Sequence, residues 1–253
     1  MAKNKIIIKT SEDIQGIREA GRIASLALDM IGQYIKEGIS TEELDHICNT
    51  FILSKGGKSA CIGYNGYPKF TCISLNDTIC HGIPTKSEIL KTGDILNVDI
   101  TVNKDGYFGD TSRMYTVGEI LPQAQKLIDV TQKALDIGIS QVYPGNMTGN
   151  IGYEISKFVE SKGFSVVLEY TGHGIGRGFH EEPYIYHKSQ KNSGVKIVPG
   201  MVFTIEPMIN LGTPRTKVLN DKWTVKTQDG KLSAQFEHTI AVTEDGYEIL
   251  TLS

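Results

Sequence analysis

The chain has 253 residues, a net charge of -3 at pH 7 and a hydrophobic fraction of 40%. This balance gives no electrostatic reason to expect nucleic acid or an anionic membrane as a partner, and the length suffices for one large domain with its own core. No apolar stretch is long enough to span a bilayer. The N-terminal segment MAKNKIIIKTSEDI is not typical of a secretory signal, so we expect a cytoplasmic protein.

Cysteine usage supports the same compartment. The four cysteines lie in the first third of the chain and none forms a CxxC pair: Cys48, Cys61, Cys72 and Cys80. For a chain of this length without a secretion signal, we expect reduced and mostly buried thiols rather than a disulfide framework.

Four helices are predicted in chain order. Apolar residues from Ile14 to Ile35 follow helical spacing, and Thr10 and Asp13 are placed as an N-terminal capping pair. A second helix is predicted over 41–55, a third over 122–142 and a fourth over 148–162. The second ends at a Gly-Gly pair and the fourth at Gly163, as helix C-termini often do.

The two helix pairs resemble each other in sequence. A shift of 107 positions aligns Ala27-Leu28-Asp29 with Ala134-Leu135-Asp136 and Ser54-Lys55-Gly56 with Ser161-Lys162-Gly163, with nine identities over the 30 positions from 27 to 56. One unbroken offset indicates an internal duplication. We therefore predict one domain over 1–253, in which helix pairs near 11–57 and 122–163 belong to two similar α+β halves with a site between them.

Strands follow each helix pair. The run from Ile95 to Val117 predicts a hairpin around residues 103–106, and Asp-Gly turns at 229–230 and 245–246 are each flanked by alternating apolar residues. The regular alternation of strand and helix typical of a parallel nucleotide-binding sheet is absent. The predicted fold class is α+β with antiparallel strands.

Two acidic residues lie on the arms of the first hairpin. If Lys104-Asp105 form a two-residue loop, Asp99 and Asp110 pair directly, and if Asp105-Gly106 form it they are diagonal neighbours. Both registers put the two carboxylates on one face of the sheet, whereas a three-residue loop would separate them. Asp99 follows an apolar run that predicts burial, which favours a functional role over a solvent-facing one.

Three further candidates lie in strands or glycine-rich turns. Glu206 ends the strand predicted over 201–205 and is held extended by Pro207, and Glu237 precedes the strand predicted over 239–242. His173 lies in the segment TGHGIGRGFHEEP, whose glycines allow a backbone to pass close to a ligand. Four carboxylates meeting at one place would repel one another, and two divalent cations would cancel that charge, so this set predicts a hydrolytic two-metal centre.

Other chemistries find no support in the sequence. The glycine-rich segment lacks GK[ST] and opens no helix, which excludes the P-loop and dinucleotide motifs. HExxH, zinc-finger spacing and a GxSxG elbow are also absent.

The segments NVDITVNKDGYFGDTS, TGHGIGRGFHEEP, VFTIEPM and FEHTI, in this order, resemble the methionine aminopeptidases, specifically their short type I form, over nearly the whole chain. The resemblance implies the pita-bread fold, in which two pseudo-symmetric α+β halves enclose a dinuclear metal site. It implies metal ligation by five residues: Asp99, Asp110, His173, Glu206 and Glu237. Asp99 would bind one metal, Asp110 and Glu237 would bridge, and His173 and Glu206 would complete the second metal.

The resemblance also implies the substrate contacts. His81 and His180 would lie near the scissile carbonyl and the leaving amine. The methionine pocket would be lined by Cys61, Tyr64, Tyr67, Cys72, Phe179 and Trp223, and thiols with aromatic rings suit a flexible thioether. A monovalent-cation site would involve Asn76, Thr78 and Ser233. The divalent metals would be Mn, Fe, Co or Zn.

The implied reaction removes the initiator methionine from nascent chains whose second residue is small. A water bridging the metals, its pKa lowered toward about 7, would attack the carbonyl, and Glu206 would carry its proton to the leaving amine. We expect a monomer that meets nascent N-termini, with the ribosome as a further partner. The chain's own start, Met1-Ala2, is compatible with self-processing.

Three alternatives remain open. Prolidases and proline-specific aminopeptidases share the fold but usually carry an additional N-terminal domain, for which 253 residues leave no room. A non-catalytic binding relative would lose metal ligands, and all five are present here. A two-metal phosphoesterase would need Arg or Lys near the metals, for which Arg113 and Arg177 are the candidates.

Overall fold

The computed structural model describes residues 5–253. Met1 and Ala2, on which compatibility with self-processing depends, and the start of the segment considered as a signal lie outside the described residues. Between residues 5 and 253, no helix has both the length and the apolar character that a membrane crossing requires.

The predicted helices are present with ends within a few residues of expectation: α1 (Ser11–Ile31), α2 (Thr41–Ser54), α3 (Pro122–Ser140) and α4 (Thr148–Ser161). The capping pair at Thr10 and Asp13 is confirmed, because the Thr10 side chain accepts from the Asp13 N–H and the Asp13 carboxylate accepts from the Thr10 N–H. The prediction is wrong for Ile35, which lies beyond the end of α1. It still packs against the core beneath α1, so it continues the apolar spacing from a turn.

Fifteen strands lie between and after the helices within residues 5–253. Those before α3 are β1 (Lys58–Ser59), β2 (Cys72–Leu75), β3 (Thr78–Cys80), β4 (Ile95–Lys104) and β5 (Tyr107–Thr116). Those after α4 are β6 (Ser165–Val166), β7 (Gly172–Gly174), β8 (Glu181–Ile185), β9 (Val202–Ile205), β10 (Met208–Asn210), β11 (Thr216–Val218), β12 (Val225–Thr227), β13 (Ser233–Gln235), β14 (His238–Val242) and β15 (Tyr247–Ile249).

The strands form four sheets in which every named pair is antiparallel. One sheet has the order β1-β4-β2, with β5 on the other side of β4, and the largest has the order β15-β14-β9-β7-β8. Two smaller sheets have the orders β13-β10-β6 and β11-β12-β3. This arrangement confirms the α+β prediction.

The central hairpin adopts one of the two predicted two-residue loops. Lys104 pairs with Tyr107, so Asp105-Gly106 forms the loop, and both residues have positive φ, 53° and 85°. Positive φ at both loop positions is the requirement of a type I′ turn, which matches the twist of the strands. Asp99 pairs with Ser112 and Asp110 with Thr101, so the two aspartates are diagonal neighbours.

The two other predicted Asp-Gly turns differ from each other. The segment around 245–246 joins β14 to β15, which pair antiparallel as a hairpin. The segment at 229–230 is a turn, as predicted, with Gly230 at φ 71°, but its flanking strands do not pair with each other. The strand before it pairs with β3 and with the preceding strand β11, and the strand after it pairs with β10.

Two large apolar cores occupy the two halves. One lies beneath α1 and α2 and takes residues from β2 and β4, and the other lies beneath α3 and α4 and takes residues from β9, β10 and β14. The halves meet where β5 approaches the end of β13, through a bridge between Ser112 and Glu237 whose backbone N–H groups each donate to the other's carbonyl.

The structure shows geometric parallels between the halves. The bounds of α2 and α4 differ by 107 at both ends, each helix having 14 residues. Gly38 and Gly145, which the same offset relates, have φ of 89° and 93°, and Gly56 and Gly163 have φ of 75° and 82°. A common duplicated ancestor for the two halves stays a prediction.

Candidate metal centre

Asp99 and Asp110 project from the central hairpin toward the junction of the halves. The Thr101 hydroxyl donates to Asp110 Oδ1 over 2.8 Å, which leaves Oδ2 free to face the cavity. Asp99 Oδ1 is buried and has no hydrogen-bond partner. A buried acceptor without a partner is costly in a folded protein, so this oxygen indicates a site for a cation.

His173 lies on β7 and presents a free ring nitrogen to the same place. Its Nδ1 is 2.9 Å from the carbonyl oxygen of Gly174, which can only accept, so Nδ1 carries the proton and Nε2 does not. Nε2 lies 3.7 Å from Asp110 Oδ2 and 3.7 Å from Glu206 Oε1. A backbone acceptor on one nitrogen with the other nitrogen free is the usual arrangement of a metal-binding histidine.

Glu206 follows β9, where Pro207 ends the strand. Its Oε1 accepts from the Thr204 hydroxyl over 2.7 Å. Its backbone N–H donates to Nε2 of the buried His187 over 3.0 Å, so this imidazole takes the place of a strand carbonyl where the ladder stops. His187 was not predicted as part of the site, because it lies in the irregular segment after β8.

Glu237 lies between β13 and β14 and is held by the bridge to Ser112. Its carbonyl oxygen also accepts from the Thr111 hydroxyl over 2.7 Å. Ligand atoms of Asp110, His173 and Glu237 all lie within 4.8 Å of one another, and all three residues are buried. The backbone contacts of β5 thus fix the position of a side chain from the other half of the molecule.

Burial raises the pKa of all four carboxyl groups, and repulsion by neighbouring carboxylates adds to the rise for Asp99, Glu206 and Glu237. Desolvation is the main cause in each case, and it raises the pKa of Asp110 to about 7 and that of Glu206 to about 8. The pKa values of Asp99 and Glu237 are raised well above their usual range, first by desolvation and then by the charge of Asp110. Within residues 5–253, the ion pairs of these carboxylates involve His173 alone.

The residues therefore fit a divalent-metal site. Asp110, His173 and Glu237 bring three possible ligand atoms within 4.8 Å of one another, and Asp99 adds a buried carboxylate oxygen without a partner. The free His173 nitrogen is available as a ligand, and no Lys or Arg pairs with these carboxylates among the described residues. Such ligands suit divalent first-row metals, and bound cations would restore the carboxylates to their ionised forms.

A cavity of about 350 Å³ opens onto this cluster. Each residue predicted for the metals or the substrate lines it: Cys61, Tyr64, Tyr67, Cys72, His81, Asp99, Asp110, His173, Phe179, His180, Glu206, Trp223 and Glu237. Four lining residues were not predicted, namely Asn65, Thr101, Thr171 and Tyr184. They lie near predicted residues in turns or strands, and residues of these types do not by themselves indicate a catalytic or metal-binding role.

The two substrate histidines lie on the cavity wall as neutral rings. Desolvation lowers the pKa of His81 to about 4. Desolvation, followed by the proximity of His173 and His81, lowers the pKa of His180 to about 3. The ring of His180 stacks on Tyr64 at 5.1 Å, and His81 has φ of 55°, a conformation that non-glycine residues adopt mainly under local constraint.

The residues suggested for a monovalent cation lie outside this cavity. The Ser233 N–H donates to the Asn76 carbonyl over 2.9 Å, which brings β13 against the turn before β3, the strand that begins at Thr78. The four cysteines are free and buried, as predicted.

The basic residues proposed for phosphate binding face elsewhere. Arg113 pairs with Asp29 at 2.7 Å, and Arg177 pairs with Asp13 at 3.3 Å. Neither side chain lines the cavity.

Comparison with known proteins places the chain in one family. A family model described as "Metallopeptidase family M24" matches residues 15–244. The methionine aminopeptidase of Escherichia coli (strain K12) is 54% identical over 248 residues, which cover 98% of this chain and 94% of that protein. The methionine aminopeptidase of Buchnera aphidicola subsp. Schizaphis graminum is 51% identical over 245 residues, with coverage of 97% and 94%.

Solved structures agree with this assignment. The methionine aminopeptidase of Rickettsia prowazekii has a TM-score of 0.96 at 47% identity, covering 98% of this chain and 100% of that one. The prolidase of Pyrococcus furiosus has a TM-score of 0.79 at 22% identity, covering 98% of this chain and 66% of that one, a likeness of fold alone. The fold is therefore the pita-bread fold predicted from the motifs, and the chain belongs to metallopeptidase family M24, whose members are metal-dependent peptidases.

Proposed function

We propose that this protein is a methionine aminopeptidase that removes the initiator methionine from nascent chains when the second residue is small. One observation carries the proposal: a single cavity is lined both by the five metal-ligand residues and by thiols with aromatic rings. An acidic metal-binding cluster beside an apolar wall of this composition suits hydrolysis next to a thioether side chain.

The five ligand residues would hold two divalent cations, from the set Mn, Fe, Co and Zn. Bound there, the cations would polarise the scissile carbonyl and lower the pKa of a water toward about 7. Asp110, His173 and Glu237 already converge within 4.8 Å, and Asp99 Oδ1 supplies an acceptor that no protein group satisfies.

Glu206 is our candidate for the group that moves the proton. Its Oε1 is held by the Thr204 hydroxyl, and its other oxygen, Oε2, has a weak partner in Gln235 at 3.4 Å. A carboxylate with one anchored and one freer oxygen can accept a proton at the attacking water and release it to the leaving amine. The Glu206→Gln variant should fold yet lose most turnover, and near-normal kcat would contradict this role.

His180 and His81 would steady the reacting peptide as hydrogen-bonding groups. Their lowered pKa values keep both rings neutral at pH 7, so each offers one N–H donor and one acceptor nitrogen. A neutral donor near the carbonyl stabilises the negative charge that develops on its oxygen.

The methionine side chain would enter the end lined by Cys61, Tyr67, Cys72 and Trp223. Tyr67 is buried, and its hydroxyl donates toward the carbonyl oxygens of Thr71 and Gly82 at 3.0 and 2.9 Å. These contacts hold the ring in place, with the Trp223 ring edge-on to it at 5.1 Å. A preformed apolar wall of this kind favours an unbranched side chain over proline.

We propose nascent N-termini as the substrates and the ribosome as a further partner of a cytoplasmic monomer. The free thiols support a reducing compartment. A phosphoesterase function is less well supported, because neither Arg113 nor Arg177 lines the cavity.

Competition between tripeptides tests the proposal. Metal-stripped protein is given each divalent metal in turn and offered Met-Ala-Ser, Leu-Ala-Ser and Pro-Ala-Ser. Release of methionine alone supports the proposal. Release of leucine or proline would contradict the methionine specificity, and no release by folded protein with any metal would favour a binding role.

A further inference from the structure

A buried lysine near the N-terminus contacts the loop that carries His180. Lys9 precedes α1 and is only 8% exposed, and its ammonium group forms an ion pair with Glu181 Oε2. Its backbone N–H donates to the Gly200 carbonyl over 2.7 Å, which ties this segment to the turn before β9. Lysine is rarely buried unless it is paired, so the pair defines the position of both side chains.

The other oxygen of the same carboxylate closes a tight turn. Glu181 Oε1 accepts from the Gly178 N–H over 2.7 Å, and the two residues between them are Phe179 and His180. Both of these residues line the catalytic cavity. The carboxylate therefore joins three parts: the N-terminal segment, the start of β8 and the turn that presents the cavity residues.

Close packing leaves the lysine little freedom. A Cβ added at Gly176 would lie 2.4 Å from Lys9 Cε and 2.8 Å from Lys9 Nζ. Because Gly176 has no side chain, the aliphatic part of Lys9 can pack directly against the loop backbone, and any larger residue at this position would clash with it. Nearby, Arg177 lies with its guanidinium 4.2 Å from the centroid of the Tyr107 ring, on the outer side of the same loop.

We propose that Lys9 is a positioning residue for His180, acting through the carboxylate of Glu181. The inference rests on the proposed function for the role of His180, but the tether itself is independent of that role. Glu181 stabilises the turn by accepting the hydrogen bond from Gly178, and Lys9 links Glu181 to the N-terminal segment through the ion pair. Loss of the ammonium group lets the turn with Phe179 and His180 shift, while the pocket residues on other elements, Cys61, Tyr67, Cys72 and Trp223, stay in place.

The tests start with Lys9→Met, which keeps an unbranched chain of similar length and removes the charge. With Met-Ala-Ser as substrate, we expect kcat to fall about tenfold to a hundredfold, the range expected when a catalytic group moves by about 1 Å. Inhibition by free methionine should stay within about twofold of wild type. The matched control is Arg18→Met, which breaks an ion pair to Glu248. The two side chains are 37% and 41% exposed, and neither Arg18 nor Glu248 lines the cavity. The control should leave kcat within about twofold of wild type.

A double-mutant cycle separates positioning from general stability. If Lys9 acts through His180, adding Lys9→Met to a His180→Ala variant should lower kcat by less than about threefold further. An equal fold loss in both backgrounds, or no loss in the single variant, would overturn the proposal. In Lys9→Met/Glu181→Gln, where no buried charge is left unpaired, stability should recover while kcat stays low. Recovery of both stability and kcat would show that the ion pair only stabilises the fold, and would overturn the proposal.

Amide hydrogen exchange tests the tether without reference to activity. In metal-free protein, the Gly178 amide should exchange at least about tenfold faster in Lys9→Met and in Glu181→Ala than in wild type or Arg18→Met. Unchanged exchange with unchanged kcat would overturn the proposal. If the Gly178 amide exchanges faster in the two variants but neither wild type nor any variant releases methionine, the result would contradict the proposed function and still support the contact between Lys9 and Glu181.

Discussion

Replacing Glu206 by Gln should make the metal-free protein more stable at high pH and change its stability little at low pH. Burial raises the pKa of Glu206 from 4.5 to about 8. For an acid whose pKa is raised by folding, the folded state binds more protons than the unfolded state between the two values. The free energy of unfolding therefore falls as pH rises through this window, and a glutamine, which does not ionise, escapes this loss.

The size of the effect follows from the shift. Between pH 5 and pH 8, ionisation of Glu206 should cost the folded state about 4 kcal/mol, at 1.36 kcal/mol per pKa unit. Unfolding entropy of about 2 cal/mol/K per residue converts this to roughly 7 °C in Tm for a chain of this size. The variant's Tm advantage over wild type should thus widen by about 7 °C across the window.

Comparing variant with wild type removes the titrating groups that do not interact with Glu206. Loss of the Glu206 charge also lowers the pKa of Asp99 and Glu237, which widens the Tm difference in the same direction. Buried histidines, among them His187 with its pKa lowered to about 3, destabilise the protein as pH falls below about 6.5, and they do so equally in both proteins. The assay is differential scanning calorimetry of chelator-treated protein at half-unit steps from pH 5 to pH 8. A Tm difference that is flat with pH, or that narrows, would refute the assignment of Glu206 as a buried carboxyl group that needs a cation.

Two substitutions and a pH series test the packing of α1, the methionine pocket and the metal ligands. Gly109→Ala should lower the free energy of unfolding by about 1–3 kcal/mol in urea titration, because the new Cβ would lie 2.2 Å from the backbone N of Gly21 on α1. Gly246→Ala, with nothing within 4 Å of its added Cβ, is the neutral control, and equal costs would count against this packing. Trp223→Ala should lower kcat/KM for Met-Ala-Ser at least about tenfold through lost apolar contact, with metal affinity unchanged in calorimetry. Metal affinity should rise between pH 5 and pH 8 with release of protons, and binding that releases none would contradict the raised pKa values.

Much of the site was predictable because its residues lie in long or strongly patterned segments. The apolar run before Asp99 and the hairpin turn placed two carboxylates on one face, and the structure shows the Asp105-Gly106 register among those considered. Glu206 was predictable from a buried strand ended by a proline. Each of these signals is local, so periodicity and turn chemistry suffice to detect it.

Other features depend on contacts between distant parts of the chain. The turn at 229–230 was predictable from its Asp-Gly pair, but the pairing of its three-residue flanking strands with β3, β10 and β11 was not. His187 holds the Glu206 backbone, and Lys9 pairs with Glu181 172 positions away. A single buried polar residue in an irregular segment produces no periodic pattern, so only the folded structure identifies its partner.

The most direct test of the account is the metal dependence of substrate choice. Metal-stripped protein is supplied under anaerobic conditions with Mn(II), Co(II), Fe(II) or Zn(II) and offered Met-Ala-Ser, Leu-Ala-Ser and Pro-Ala-Ser, with free amino acids quantified by chromatography. We expect release of methionine alone, only with metal, and loss of this release in the Glu206→Gln variant. Equal release of leucine or proline, or release of methionine by thoroughly stripped protein, would contradict it.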